Sequence, residues 1–290
     1  MKNILFLNGY TEYARDYYRF SLRFARRLGS TLHLAHIYDF RNNLDERGYD
    51  AFVRPGEFNA WLLDVQREES MELDQFVAEN TGKQNMPLIG ETYAYEGDVV
   101  NEVPKLLEHG DFDLVVIGLV AHSLLRDLLT RNLTQYLVDT AQCPLLLLPP
   151  RATQNLIRKI CFATDLTPGT LSAINYGFDL SLRLSAEYQL LTVVKEKDAV
   201  PATQDRIDTL QQKIHGGYTS RLPYRVVVGN PEKEIRHFTR TEGTDLLMLT
   251  TRQRKRWIDQ FTQTITKAIV REAAIPLLVL KEDYLDVYKV

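Results

Sequence analysis

Short apolar runs alternate with amphipathic stretches along the whole chain. Several runs are apolar at consecutive positions, which is typical of strands buried on both faces of a parallel sheet. Between the runs, apolar residues recur at helical spacing, as Tyr13, Tyr17, Phe20 and Phe24 do. The predicted strands are residues 3–7, 32–37, 88–93, 114–118 and 145–148, then 159–163, 188–193, 224–228, 246–250 and 277–280.

This pattern occurs twice in the sequence. Residues 160–162 echo residues 4–6 at an offset of 156, and residues 275–279 echo 143–147 at an offset of 132. The smaller offset places 24 extra residues in the first copy, between its second and third strands. Strands that alternate with helices imply right-handed crossovers and helices on both faces of a sheet. The sequence therefore predicts two tandem doubly wound α/β domains, each with a five-stranded parallel sheet.

The prolines at 149 and 150, followed by polar residues, indicate a linker between the copies. The predicted domains are residues 1–150, with an insertion at about 39–62, and residues 156–290. The insertion carries Tyr49, Phe52, Phe58 and Trp61, and a disordered segment would be poor in aromatic residues. We expect it to pack over the ligand cleft of the first copy, with a loop elsewhere on the surface as the alternative.

Composition and charge exclude several classes of protein. The chain of 290 residues has two cysteines without a CxxC spacing, so neither a disulfide framework nor a structural zinc site is predicted. No apolar run approaches the ~20 residues of a membrane span. A net charge of −3 gives no general attraction to nucleic acid or to a membrane surface. We expect a cytoplasmic protein that binds neither nucleic acid nor a membrane.

No enzyme fingerprint is present in the sequence. It lacks GxGxxG after the first strand, GxxxxGK[ST], HExxH and GxSxG. His33 and His36 would point to opposite faces of a strand, so they do not make a metal pair. No catalytic residue and no metal site is predicted, and the chain is not expected to be an enzyme.

Several weak motifs recur in the same order in both copies. They are Asp165, 228–235, 244–249 and 273–280 in the second copy, and 96–100, 113–118 and 141–145 in the first. Together they resemble the universal stress protein family over nearly the whole chain. The resemblance implies an adenine nucleotide alpha hydrolase-like fold, a role in stress response, and domains that pair through their last strands.

ATP-binding members of that family use a loop of the form Gly, two residues, Gly, nine residues, Gly and Ser or Thr after the fourth strand. Glycines let backbone N–H groups approach phosphate oxygens, and the hydroxyl adds a donor. One glycine survives in the first copy and none in the second, so side chains occupy the phosphate cradle. The matching positions are Gly118, Ala121, Arg131 and Asn132 in the first copy, and Thr250, Gln253, Gln263 and Thr264 in the second.

The adenine and ribose end is also incomplete by the same resemblance. An acidic residue after the first strand would hold the ribose; Asp165 stands there in the second copy and Gly9 in the first. The last residues of the second strands, Ile37 and Val193, would edge the adenine through their backbone, and Gly229 is a further candidate ligand contact. Helix capping is an alternative role for Asp165.

A basic run, Arg252, Arg254, Lys255 and Arg256, follows the fourth strand of the second copy. It would pair with phosphates, contact nucleic acid or form a solvated loop.

Two functional classes follow from these residues. The first is a tandem universal stress protein that acts as a signalling or interaction module, with an unidentified partner protein and weak or no ATP binding. The alternative is an ATP- or AMP-binding member with a remodelled site and slow hydrolysis. In either class the last strands, residues 145–148 and 277–280, predict an internal pseudo-dimer of the two domains. Whether two whole chains also associate into a homodimer stays an open question.

Overall fold

A computed structural model describes residues 1–44, 52, 54, 56–119, 137, 141, 143–150, 152, 156–167, 170–214, 222–251 and 275–281. These residues fall into two compact units. The first contains the described residues as far as Gly118, together with Leu137. The second contains Leu119 and the described residues from Ala141 onward.

The first unit is built on parallel strands in the order β3-β2-β1-β4, with every described pair parallel. Two short 3-10 turns, Phe40–Asn43 and Lys83–Leu88, flank the second helix. The strands are β1 Asn3–Leu7, β2 Thr31–Tyr38, β3 Ile89–Glu96 and β4 Leu114–Gly118. The helices are α1 Ala14–Leu28, α2 Glu57–Asn80 and α3 Val99–His109.

The second unit has its strands in the order β5-β10-β9-β6-β7-β8. Its described pairs are parallel except that of β5 with β10. The strands are β5 Leu145–Leu148, β6 Lys159–Ala163, β7 Glu187–Val194, β8 Tyr224–Val228, β9 Leu246–Thr251 and β10 Leu277–Lys281. The helices are α4 Thr170–Arg183, α5 Ala199–Gln211 and α6 Pro231–Thr241.

The predicted α/β class is confirmed, and each predicted strand overlaps a strand of the structure. The strands with consecutive apolar residues are the buried ones: all four residues of β5 and all five of β10 are buried. In contrast, β3 and β8 end the strand order of their units and are half-exposed. Central strands are covered on both faces, which is why their sequences lack the alternation of a half-exposed strand.

The last strands of the two sequence copies pair with each other, as the sequence predicts. Strand β5 runs antiparallel to β10, with Leu146 opposite Leu278 and Leu147 opposite Leu277. Both partners of the first pair have no solvent exposure. The pairing removes two apolar strand edges from water, and such edges otherwise invite aggregation.

A β-bulge interrupts the pairing of β2 with β3 around His33. The register shifts by one residue between Leu32 and Leu34, and His33 Nδ1 accepts a hydrogen bond from the Glu91 N–H at 3.1 Å. A Cβ added to Gly90 would lie 2.5 Å from the His33 ring, so only glycine fits there. Burial lowers the pKa of His33 from its usual 6.5, since the charged imidazole is poorly solvated.

We expect His33 to make the free energy of unfolding depend on pH. Because its folded pKa is below the unfolded value, its contribution is fully present above about pH 6.5 and is lost as pH falls towards the folded pKa. Urea denaturation at pH values from 4 to 8 should give a shallower fall in stability on the acid side for His33→Gln than for wild type. His109→Gln, which removes an exposed imidazole, is the matched control. An unchanged acid slope in His33→Gln would contradict the assignment.

Candidate functional site

The loop after the first strand of each copy has the same construction. In the first, Asn8 Oδ1 accepts a hydrogen bond from the Tyr10 N–H at 3.3 Å. In the second, Thr164 Oγ1 accepts from the Leu166 N–H at 3.0 Å. Tyr10 and Leu166 both have left-handed backbone, with φ of 46° and 59°. The sequence repeat is therefore also a repeat of local structure at the carboxyl ends of β1 and β6, where ligands bind in this fold class.

Asp165 is exposed in the second of these loops, directly after β6. The Thr164 hydroxyl accepts from Leu166 and lies 3.1 Å from the Thr170 hydroxyl at the start of α4. The turn is thus shaped by Thr164, and Asp165 follows Thr164 in the loop at the carboxyl end of β6. Ligand binding and helix capping by Asp165 both stay predictions.

Arg206 is a residue of this edge that the sequence analysis missed. It lies on α5, and its guanidinium donates to the Leu166 carbonyl at 2.6 Å. This bond brings a positive charge next to the loop that carries Asp165. A single arginine on an amphipathic helix gives no sequence signal, because its position depends on how the helix packs.

Ile37 and Val193 lie in β2 and β7, each one residue before the end of its strand. Ile37 pairs with Tyr95, and Val193 pairs with Val227. Both side chains are half-buried. Each strand extends one residue beyond the predicted end, so the backbone of these two residues lies within the sheet; their contact with adenine stays a prediction.

Gly229 has a structural role in the turn after β8. Its φ is 154°, its N–H donates to the Val194 carbonyl at 2.9 Å, and an added Cβ would lie 2.7 Å from Glu234 Oε1. Gly97 repeats this in the first copy, with a φ of 142° and a bond to the Tyr38 carbonyl at 2.9 Å. The turn geometry requires glycine at both positions, and a ligand contact of Gly229 stays a prediction.

The phosphate-loop positions are only partly within the described residues. Gly118 is the last residue of β4, and Thr250 lies in β9 opposite Leu280 of β10. The remaining candidates and the basic run lie outside the described residues: Ala121, Arg131, Asn132, Gln253, Gln263, Thr264, Arg252, Arg254, Lys255 and Arg256.

Gly118 is covered by the side chain of Tyr17. The Tyr17 ring is 2% exposed, and a Cβ on Gly118 would overlap it. Desolvation by burial raises the pKa of Tyr17, with smaller contributions from Tyr13, Asp16 and Glu12. The one surviving glycine of the first copy's loop therefore makes room for an aromatic ring of α1.

Tyr10 lies in the loop at the carboxyl end of β1 in the first unit, and its side chain packs against neighbouring rings. Its ring packs edge-on against His36 and Phe76, with centroid distances of 4.4 and 5.8 Å. Its hydroxyl is buried and has no hydrogen-bond partner in the described part of the chain. Burial raises the pKa of Tyr10, and the carboxylates of Glu72 and Glu69 raise it further.

His36 ties helix α2 to the ends of β1 and β2. Its Nδ1 lies 2.9 Å from the Asn8 carbonyl oxygen, and its Nε2 lies 3.5 Å from Glu69 Oε2. Glu69 also accepts a hydrogen bond from Asn43 Nδ2 at 3.2 Å. His33 bonds instead to the Glu91 N–H. Among the described residues no group of three side chains is arranged to hold a metal ion.

An acidic cavity of about 480 Å³ opens beside the loop after β1. Aromatic rings of Tyr10 and Phe76 form part of its wall, and three glutamates outnumber one arginine. The negative charge disfavours the phosphates of a nucleotide. The lining residues are Tyr10, Thr11, Glu12, Ala14, Arg15, Glu72, Gln75, Phe76 and Glu79.

Three aromatic residues of the insertion, Phe52, Phe58 and Trp61, pack on one another. Phe52 lies 5.2 Å from both Phe58 and Trp61 between ring centroids, and Phe40 lies 5.7 Å from Phe58. The insertion leads directly into α2, which contacts the carboxyl edge through Glu69 and Phe76. That residues 39–62 themselves cover the ligand cleft stays a prediction.

The sequence profile of the universal stress protein family matches residues 1–149 and again 156–281. The chain belongs to this family, and it carries two universal stress protein domains in tandem. The double match supports the predicted internal pseudo-dimer. The predicted domain bounds themselves stay predictions.

Solved structures share this fold at low sequence identity. The chain is similar to a universal stress protein from Archaeoglobus fulgidus DSM 4304, with a TM-score of 0.72 and 13% identity over 97% of this chain and 98% of that one. It is also similar to a functionally unknown protein from Pseudomonas aeruginosa PAO1, with a TM-score of 0.62 and 16% identity over 99% and 95%. No curated protein matches the sequence. Within the described residues, no helix is both long and apolar enough to cross a membrane.

Proposed function

We propose that this universal stress protein acts in the stress response as a signalling or interaction module, and that it binds adenine nucleotides weakly or not at all. The proposal assigns it no catalytic reaction and no resident cofactor. Its partner would be another protein, and its place of action the cytoplasm.

The contact between Tyr17 and Gly118 carries this proposal. A phosphate cradle needs a glycine whose backbone is open to close approach, whereas a buried tyrosine ring lies against this one. The neighbouring acidic cavity adds electrostatic repulsion, because Glu12, Glu72 and Glu79 outnumber Arg15. Both features argue against nucleotide in the first copy.

The second copy supports an alternative function, ATP or AMP binding at a remodelled site, with slow hydrolysis. Arg206 is held at the Leu166 carbonyl beside the exposed Asp165. A carboxylate for ribose and a guanidinium for phosphate would then lie at one edge of the sheet. This is the place where a nucleotide would bind if the chain binds one.

Isothermal titration with ATP, ADP and AMP tests the proposal. We expect dissociation constants above about 100 μM, equivalent to less than about 5.5 kcal/mol of binding free energy. This binding free energy is small for a ligand of nucleotide size. An intact phosphate cradle would add several charge-assisted hydrogen bonds to it.

Micromolar binding of any of the three nucleotides would contradict the proposal. If that binding were lost in Asp165→Ala and Arg206→Gln, the alternative function in the second copy would replace it. Asp179→Ala, an exposed carboxylate that pairs with Arg183 on α4, is the matched control for Asp165→Ala.

A further inference from the structure

Helix α2 carries a carboxylate on its buried side. The buried residues of this helix are Val65, Leu73 and Val77. Glu69 lies between the first two at the same four-residue spacing, so it shares the face that packs on the sheet. Its side chain is 12% exposed. A charged group in the apolar stripe of a helix is unfavourable unless it is paired, because it loses its hydration.

The carboxylate of Glu69 has two partners. His36 Nε2, on β2, lies 3.5 Å from Glu69 Oε2, and the His36 side chain is also 12% exposed. Asn43, in the 3-10 turn before α2, donates from Nδ2 to Glu69 Oε1 at 3.2 Å. The amide is neutral, so within the described part of the chain His36 is the group that brings a positive charge to this carboxylate.

The contacts of His36 fit an imidazole that carries a proton on both ring nitrogens. Nδ1 lies 2.9 Å from the Asn8 carbonyl oxygen, which can only accept a hydrogen bond, so Nδ1 is the donor. Nε2 faces the Glu69 carboxylate, which in its ionised form also only accepts. In a neutral imidazole the lone pair of Nε2 would face this carboxylate. Loss of one proton therefore replaces an attraction with a repulsion.

The other titratable groups around His36 keep their charge near neutral pH. The rings of Tyr10 and Tyr38 contact the imidazole. Desolvation by burial raises the pKa of both tyrosines, and nearby carboxylates raise it further, so both stay uncharged. Carboxylates are ionised at neutral pH. The charged groups of the elements packed here are Glu72 and Asp74 on α2, Glu96 at the end of β3, and the paired Asp39 and Arg41 at the 3-10 turn.

Helix α2 has few buried residues, so one ion pair can matter to its position. Three of its 24 residues are buried, and none of these lies in its first two turns, residues 57–64. The same helix supplies Glu72 and Phe76 to the wall of the acidic cavity beside the loop after β1. Loosening of the pair would therefore move one wall of that cavity.

We propose that His36 and Glu69 form a pH-sensitive latch in the first unit. While His36 is protonated, the latch holds α2 against the carboxyl ends of β1 and β2. As the imidazole loses its proton around and above neutral pH, α2 and the cavity wall loosen. A buried ion pair adds little stability over an apolar residue of similar size, whereas it makes the contact depend on pH. The latch does not depend on nucleotide binding or on the proposed function.

Hydrogen exchange of the full chain at about pH 6 and about pH 8.5 tests the latch. The protection of each amide is taken relative to an unfolded chain at the same pH, which removes the intrinsic effect of pH on exchange. Protection of residues 62–76 should fall at least about fivefold at the higher pH, because a charge-assisted contact is lost. Helix α4 of the second unit is the internal reference and should keep its protection.

Glu69→Gln should abolish the dependence on pH, since an amide can accept from the imidazolium and donate to the neutral Nε2. Glu69→Leu should also give equal protection at both pH values, because it completes the apolar stripe of α2. Either variant serves alone if the other does not fold. Glu68→Gln is the matched control: it removes the same charge from the exposed neighbouring residue and should keep the fivefold fall.

Three results would overturn the latch. The first is equal protection of α2 at both pH values in the wild type. The second is a fall that persists in the Glu69 variants, since the pH dependence would then come from another group. The third is a fall that Glu68→Gln abolishes as well, since any carboxylate of the helix would then serve.

Discussion

Replacing Leu278 with alanine should lower the free energy of unfolding by about 2–5 kcal/mol, the range for a leucine removed from a packed core. Leu278 is fully buried in β10, opposite Leu146 of β5 and next to Met248 of β9. The truncation would leave a cavity at the place where the last strands of the two copies pair. Urea denaturation followed by circular dichroism would show this loss of stability as a lower urea midpoint.

Leu182→Ala is the matched control for this change. Leu182 lies on α4 and is 61% exposed, so its truncation should change stability by no more than about 0.5 kcal/mol. If Leu278→Ala cost less than about 1 kcal/mol, the pairing of β5 with β10 would not be the buried contact described above.

Gly118→Ala should also destabilise the protein, by about 1–3 kcal/mol, as expected when a methyl group is forced into a packed core. The new Cβ would overlap the Tyr17 ring, which is buried and has little room to move. Thermal unfolding without any ligand would measure the loss.

Gly9→Ala serves as its control. A Cβ at Gly9 would have its nearest contact with Thr11 Cγ2 at 3.7 Å, an ordinary van der Waals distance. If Gly118→Ala were as stable as Gly9→Ala, the glycine would not be needed for packing, and a phosphate role would become the better explanation.

The strands could be predicted from sequence because consecutive apolar residues leave few alternatives. Residues 145–148 and 277–280 are four apolar residues each, and both proved to be buried strands. The repeat was visible because residues 160–162 echo residues 4–6. The equivalence of Asn8 and Thr164 was not visible, because they differ in type although both supply the oxygen that accepts a hydrogen bond in the same left-handed turn.

The site was harder to predict, because its features depend on contacts between distant segments. Gly118 matched a loop motif, but its neighbour Tyr17 is a hundred residues earlier in the sequence. Arg206 meets the β6 loop only through the packing of α5.

The central claim is that the nucleotide site of this universal stress protein has been lost, and the nucleotide content of the protein as purified tests it most directly. A tightly bound ligand would survive dilution during purification, whereas one with a dissociation constant above about 100 μM would be lost. Denaturing the protein and separating the released small molecules by chromatography should yield far less than about one adenine nucleotide per chain. Close to one nucleotide per chain would contradict the account.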